Sequence, residues 1–555
     1  MYESSLVGAF LGLLGLSHIP VISEYGLGGS SKQVAVGEGA WQTFNATLDG
    51  RLQHSTSTSG PCATGAFMLR NVTSSSSSGG KKLTQWEECQ ARAANGGNNG
   101  FFVDARSAQD VVDTMHFVKE TGAPLVTENL QSEFCAAPTS NAVALWFRRM
   151  NKVEFIPKFT PEKCSIPSSP AMSFQPGAGL GHIYTIADKN EVTVVGSNVP
   201  PLFGGEGRAL ADATSVLAPT FGSMVDNIIE MEVVTPDGEL RTVNPCLEPD
   251  LWFALRGGGS AFGIITRVTV KAHPKVTLQT FAVKFQPSPA LSKEIVTIAA
   301  HYALQWAKEG WGGSFGPDRI LLTTPSLSKG EAWHSMAPLM TLVSKMGDDV
   351  VKEKSMTTHH SFLDFVKFYA SQDIPSLSSE YAVSSRLVNE PVFLSKYGKD
   401  DLVKAIATAA TYVESWTVSL SLPYGFQPTE ETSFNPAFYE SPWMVYFSES
   451  ITPTMARKQQ LLKYSTVGKA ANYLRFITPG SGTYYAQADR SDPGYTASFW
   501  GKNYNRLVEI KKTRDPKDIL RSWQSVGWKG PSSDPRFTCH TRASFQTVRC
   551  DRECR

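Results

Sequence analysis

Val194 to Gly222 reads VVGSNVPPLFGGEGRALADATSVLAPTFG, an apolar strand running into a loop that carries Gly196, Gly204, Gly205 and Gly207. Glycine lets backbone amides approach anionic oxygens in conformations that a side chain obstructs, so the pattern is that of a phosphate cradle. Other residues of the loop oppose that chemistry. In such a cradle Phe203 would fill space meant for phosphate, unless the loop bends elsewhere and Phe203, Glu206 and Asp212 face solvent. Glu206 and Asp212 set carboxylates beside a dianion, a repulsion on the order of a kcal/mol at an effective dielectric near ~20. Asp212, with Glu133 ahead of it, is also a candidate general acid, because low-dielectric surroundings raise a carboxyl pKa.

His359 and His360 in TTHHSFLDFVKF are expected on a helix from which they could reach a cleft, although paired histidines on a polar helix face are commonly solvated. His182 in GAGLGHIYTI is expected at a helix start, in a structural role. Eight cysteines include no CxxC pair and have no histidine beside them at metal-ligand spacing, so no metal is expected and disulfides are. Cys62 and Cys89 are candidates to staple one surface arm.

These residues need a scaffold, and 555 residues of which 41% are apolar and 19% charged suggest two or more packed units. A net charge of +1 offers no electrostatic case for nucleic acid or an anionic membrane. Residues 1–23 are expected as a signal peptide: the apolar run Leu6 to Leu16 suits a secretory core and is too short for a stable membrane anchor, although Glu3 replaces the usual basic start. The sequons at Asn45 and Asn71 agree with secretion and glycosylation; a cytoplasmic location is the alternative. Residues 24–95 form an N-terminal arm whose serine-rich part buries little.

Residues 96–275 alternate strands and helices. FFVDARSAQDVVDTMHFVKETGAPLVTEN predicts strand, helix and strand, with Ser107 as cap, Val111, Met115 and Val118 on one face and Gly122 as stop. A strand is expected over Asn190 to Gly196, and two more about the turn Pro236-Asp237-Gly238. Trp252 and Phe253 are expected in the core. Residues 276–480 bring longer helices between strands, a second domain, and 481–555 return to the first.

The chain resembles the berberine-bridge-type FAD-linked oxidoreductases, in particular their fungal isoamyl alcohol oxidase-like branch. The blocks that carry the resemblance are WQTFNATLDGRL, FGSMVDNIIEMEVVTPDGELRTVN, DLWFALRGGGSAFGIITRVTVKAHP and SFWGKNYNRLVEIKKTRDPKDIL, in that order. The resemblance implies an α+β fold: a two-part FAD-binding domain of the vanillyl-alcohol-oxidase (PCMH) type, plus a substrate domain with a large antiparallel sheet backed by helices. It also implies that FAD lies between them, its pyrophosphate held by two loops. Among the positions it assigns to cofactor binding are Ser132, Gly196, Gly207, Ser215, Gly222, Asp226, Asn227, Gly263, Ile264, Asn503 and Tyr504; Arg256 to Gly259 and Phe262 are also retained.

This sequence departs from the family at the covalent anchors and at the base. Ser132 stands where the family's flavin-linked histidine falls, and Val199 where its cysteine falls, so a covalent flavin is not expected. TYYAQAD keeps Tyr484 but places Ala486 and Gln487 at the family's Asn-Glu pair, and an amide cannot abstract a proton. The expectation is therefore a non-redox catalyst that folds a hydrophobic polyene, polyketide or terpenoid for cyclisation, cycloaddition or double-bond isomerisation, with Tyr484 and Tyr485 as donors and Gln487 as a neutral anchor. Ordinary strand packing is the bland alternative for those three residues. An oxidase with non-covalent FAD acting on an alcohol or C–H centre is the second reading, and an inactive binding relative the third.

Overall fold

The computed structural model describes residues 36–54, 101–127, 142–197 and 214–530, apart from 348, 373–380, 453–454 and 490–491. The leader, the serine-rich arm, Cys62, Cys89 and Asn71 lie outside the described residues.

Helix α1 (Glu38–Thr47) and helix α2 (Ala108–Thr121) flank a four-stranded sheet of β1 (Leu52–His54), β2 (Phe101–Asp104), β3 (Leu125–Thr127) and β4 (Val143–Trp146), in the order β1-β2-β4-β3. The local code is direct. The Ser107 hydroxyl accepts from the Asp110 amide, the Asp110 carboxylate accepts in return from the Ser107 amide, and Gly122 ends the helix at φ 71°. Val111, Met115 and Val118 then bury against Trp41 and Phe44 of α1, each such side chain contributing roughly 1.5–3 kcal/mol of burial.

Helix α3 (Leu180–Lys189) follows β5 (Val153–Phe159) and β6 (Ser169–Phe174), and carries His182, exposed, in its first turn. The strand expected over Asn190 to Gly196 is only β7 (Val192–Thr193). The Ser215 hydroxyl donates to the Gly196 carbonyl and the Tyr184 hydroxyl to that of Ser197, both at 2.6 Å, and these bonds hold the backbone out of a ladder. β8 (Ile228–Val234) and β9 (Leu240–Val243) meet at the expected turn, where Gly238 has φ 90°. Helix α4 (Pro249–Gly258), with Trp252 and Phe253 buried, leads into β10 (Ile264–Lys271), and the antiparallel sheet runs β5-β6-β10-β8-β9. β11 (His273–Pro274) pairs with β7. A disulfide between Cys164 and Cys246 spans 5.5 Å between Cα atoms and joins the β5–β6 turn to the segment after β9.

The third sheet comprises β12 (Leu278–Phe285), β13 (Gly312–Phe315), β14 (Arg319–Thr324), β15 (Val351–His359), β16 (Tyr381–Val388), β17 (Ser415–Ser419) and β18 (Trp443–Ser450). It is antiparallel, in the order β15-β12-β14-β13-β17-β18-β16. Helices α5 (Pro289–Lys308), α7 (Lys396–Ala409) and α8 (Arg457–Ile477) back one face, where Phe281, Trp306, Trp443 and Phe447 pack. Helix α6 (Phe362–Ala370) sets Phe362 edge-on to Tyr184 of α3 at 4.9 Å, and Leu278 and Leu321 join the core of the second sheet. His359 and His360 do not lie on that helix. His359 ends β15, buried, and His360 is exposed in the turn, because Ser361 caps the helix by accepting the Asp364 amide.

Helix α9 (Tyr504–Arg514) returns to the first sheets: Phe499, Leu507, Ile510 and Val526 pack with Phe174 and Val268. The fold is thus α+β, with a large antiparallel sheet backed by helices beside a four-stranded sheet, a five-stranded sheet and the two-stranded β7–β11 pair. Among the described residues no helix is long and apolar enough to cross a membrane.

Candidate functional site

Residues that the sequence assigns to a flavin fall into those that cinch the loop, those that pack, and those that grip another segment. Gly196 and Ser215 cinch it, through the 2.6 Å bond that ties the loop's two ends. A Cβ at Gly196 would lie 2.5 Å from the Tyr184 hydroxyl, so glycine is needed there for the scaffold. Gly263 lies under Val233, and Ile264 is buried at the start of β10. Ser132, Glu133, Val199, Phe203, Glu206, Gly207 and Asp212 lie outside the described residues.

The third group meets a strap, Leu422–Ser441, that runs from β17 to β18. A Cβ at Gly222, where φ is 79°, would come within 2.7 Å of the Phe426 ring. Gly257, at φ 140°, abuts the Phe434 amide, which would lie 2.2 Å from an added Cβ. The Tyr439 hydroxyl donates to Asp226 Oδ1 at 2.6 Å, while Asp226 Oδ2 accepts the Ser223 amide at 2.8 Å. Burial pushes the Asp226 carboxyl up despite those donors, and it pushes the Tyr439 phenol up further, with the Asp226 carboxylate adding to the effect.

Arg256, buried beneath the strap, donates to the Glu431 carbonyl at 2.7 Å and pairs with Glu430 at 3.2 Å. Its guanidinium lies 4.1 Å from the centre of the Trp252 ring, whose Nε1 donates to the same Glu430 at 2.7 Å. Asn503 donates to the carbonyls of Phe434 and Thr432 at 2.9 and 3.3 Å, and Tyr504 stacks on Trp500. Asn227 donates to the Ser223 carbonyl at 2.8 Å, and its Oδ1 lies 2.6 Å from His273 Nε2. Desolvation, with the Lys271 ammonium nearby, lowers the His273 pKa to about 4, which keeps the imidazole neutral at neutral pH.

Tyr484 and Tyr485 lie against the strap's inner side, and Gln487 follows them in the chain. They are not in a strand: Tyr485–Gln487 is a single 3-10 turn after a buried Tyr484. The Tyr484 and Tyr485 rings meet edge-on at 5.5 Å. Gln487 Oε1 is buried without a hydrogen-bond partner. Around Tyr484 and Tyr485 pack Leu387, Leu422, Phe434, Phe438 and Met444, with Tyr446 of β18 at the edge. Burial and the neighbouring Tyr369 push the Tyr446 phenol up, while a hydrogen bond with Thr417 works the other way. Sequence reasoning missed Tyr446 and Tyr439. The alternation in WMVYFSES, which sends Met444, Tyr446 and Ser448 to one face, is the signal that could have found the first; Tyr439, on the strap, has none.

The tyrosine hydroxyls, the unpartnered amide oxygen of Gln487 and the apolar cluster beside the tyrosines suit a neutral, mostly apolar molecule with few polar groups. No cluster of metal-ligating side chains occurs among the described residues.

Comparison with known proteins agrees with this layout. The FAD binding domain family matches residues 100–244, and the berberine and berberine like family matches residues 476–527. The first match runs through both loops that depart from the family. A relative from Phaeosphaeria nodorum, FAD-linked oxidoreductase phmC, is 30% identical over 336 residues, covering 56% of this chain and 75% of the relative. FAD-linked oxidoreductase OXR2 of Pyricularia oryzae is 28% identical over 454 residues, 81% of this chain and 77% of its own. Among solved structures, a VAO-type flavoprotein of Myceliophthora thermophila superposes with a TM-score of 0.77 at 18% identity, covering 91% of this chain and 98% of that one.

Proposed function

We propose, from the premise that this chain belongs to the berberine-bridge-like FAD-linked oxidoreductases, that it is a fungal secondary-metabolite enzyme holding FAD without a covalent bond and oxidising a neutral, largely apolar alcohol or C–H centre. The observation that carries this reading is the FAD binding domain match across residues 100–244, which spans a loop whose ends are tied by Ser215 and Gly196.

The residues present are consistent with a flavin that is held without a covalent bond. Gln487 Oε1 is a buried acceptor without a donor, and a bound ring or substrate N–H or O–H would supply one. Ser132 and Val199 offer neither imidazole nor thiol, so the cofactor would be held by its loops alone. Of the candidate positions, Gly196, Gly207 and Ser215 belong to the second loop and Ser132 to the first. When bound, FAD supplies a two-electron acceptor that dioxygen can reoxidise.

This chain's own side chains bind and orient the substrate. Tyr484, Tyr485 and Tyr446 present phenols, and the raised Tyr446 phenol stays protonated, so it donates to a substrate oxygen rather than taking a proton. Gln487 accepts from a substrate hydroxyl and fixes its direction, and, with no base at that position, the proton released as the hydride leaves passes to solvent water. Leu387, Leu422, Phe434, Phe438 and Met444 surround Tyr484 with apolar side chains, which favours a polyene, polyketide or terpenoid skeleton. Residues 96–275 with 481–555 serve as the FAD-binding half and 276–480 as the substrate half, an assignment supported by Leu507 and Val526 packing on the second sheet. Passage through the secretory pathway fits the Cys164–Cys246 disulfide.

One observation favours a second reading, a non-redox cyclase or isomerase in the same cleft: Gln487 stands where the family carries a proton-abstracting carboxylate, and an amide cannot take that proton. Absorbance of the purified protein decides between them. A flavin spectrum whose chromophore is released intact on denaturation is the expected result. A colourless protein that still converts a metabolite overturns the oxidase and leaves the second reading.

A further inference from the structure

We infer that Asp226, with Arg256, is a positioning residue: by latching the Leu422–Ser441 strap it fixes Tyr484, Tyr485 and Tyr446 in the apolar cluster they share with the strap. The inference rests on the site reading above, and it moves Asp226 and Asn503 from the cofactor to the strap. The latch is built from residues distant in sequence. Besides the Tyr439–Asp226 bond and the Arg256–Glu430 pair, the Ser433 amide and hydroxyl bond the carbonyls of Phe253 and Ala254 at 3.2 and 3.0 Å. Asn435 bonds the Ser498 carbonyl at 2.9 Å. Two glycines, Gly222 and Gly257, clear space for Phe426 and the Phe434 backbone. These anchors are the very blocks that mark the family, and a strap with few regular hydrogen bonds of its own depends on them.

The strap's inner side is what reaches the chemistry. Phe434, Ala437 and Phe438 form one cluster with Tyr484, Leu387, Met444 and Val225, the last adjacent to Asp226, and Tyr439, Tyr446 and Tyr485 pack at its rim. Asn435 Nδ2 also lies 2.6 Å from where a Cβ on Gly482 would stand, two residues before Tyr484. The Asp226 carboxylate is bonded to the Tyr439 hydroxyl and the Ser223 amide. It acts through Tyr439.

Removing one partner of a buried pair strands the other, whereas removing both relieves the stranded charge. Tyr439→Phe therefore opens the strap, and Asp226→Asn added to it closes part of the gap. The measurement is the initial rate of Glu-C cleavage after Glu430 and Glu431, which are exposed on the strap, followed by mass spectrometry on the full chain. Tyrosinate absorbance on alkaline titration, below the pH of unfolding, reports the phenols. Tyr439→Phe is expected to raise cleavage at least about tenfold and, with one phenol fewer, to show more phenols titrating than wild type; the double variant should fall between. Wild-type cleavage in Tyr439→Phe, or a double variant equal to the sum of both singles, overturns the latch. Faster cleavage with an unchanged phenol titration overturns the positioning role. Flavin content is read on the same samples, so a protein without flavin sinks the oxidase reading and leaves this result standing on its own.

Discussion

At the scale of single residues, Gln487 is the sharpest test of whether the cleft is a site or only packing. A buried acceptor without a partner costs stability, and replacing such a group by an apolar one of similar shape is neutral or stabilising. Gln487→Met is accordingly expected to leave thermal stability unchanged or to raise it by up to about 1 kcal/mol, while turnover of the natural substrate falls at least tenfold. Calorimetry and a product assay on one preparation check both halves. A variant that loses stability and keeps its activity assigns Gln487 to the scaffold. Only half of this could be read from sequence. The replacement of a carboxylate by Gln487 is visible in TYYAQAD, but its lack of a partner depends on a 3-10 turn that no pattern in that stretch announces.

Among elements, the ones with local codes were legible and the one that matters most to the cleft was not. Helix α2 carries its cap, its apolar face and its stop within a short stretch, and each acts as expected. The strap has no period. Its anchors are carbonyls of Phe253 and Ala254 and side chains at Asp226, Arg256 and Asn503, which only the fold brings together. The same physics misled the reading of His359, since the Ser361 cap starts the helix later than the apolar pattern suggests. Helix α9 shows a third case, an element docked by a buried charge. Lys511 donates to Asp515 at 2.6 Å and to the carbonyls of Ala261 and Leu520 at 2.9 and 2.7 Å, and burial lowers its pKa despite the carboxylate. Asp515 in turn accepts the amides of Ile519 and Leu520. Asp515→Ala strands both amides and leaves the ammonium only the two carbonyls and Asp518 at 3.7 Å, an expected loss of about 3–5 kcal/mol measured by denaturant unfolding; a loss under about 1 kcal/mol would mean that apolar contacts alone dock the helix.

For the whole molecule, the choice between a held flavin and an abandoned one is a question of linkage. The α+β character was legible in apolar alternation and turn residues that recur along the chain, while the large sheet was implied only by the resemblance that the order of the family blocks carries. Cofactor retention was not, because it depends on how two loops divide the cost of Phe203, Glu206 and Asp212 against the gain of many backbone amides. A ligand that binds only the folded chain stabilises it by RT ln(1 + [L]/Kd), about 2.7 kcal/mol at a hundredfold excess over Kd. A covalent flavin gives no such concentration dependence once attached. With Ser132 and Val199 at the anchor positions, dialysed protein is therefore expected to melt lower than freshly purified protein, and added FAD to restore the melting temperature in a saturable way. FMN, which lacks the adenylate and its second phosphate, should restore less. A melting temperature indifferent to dialysis and to FAD, in a colourless protein, would mean that this scaffold keeps its cleft while no longer using the cofactor around which the family is built.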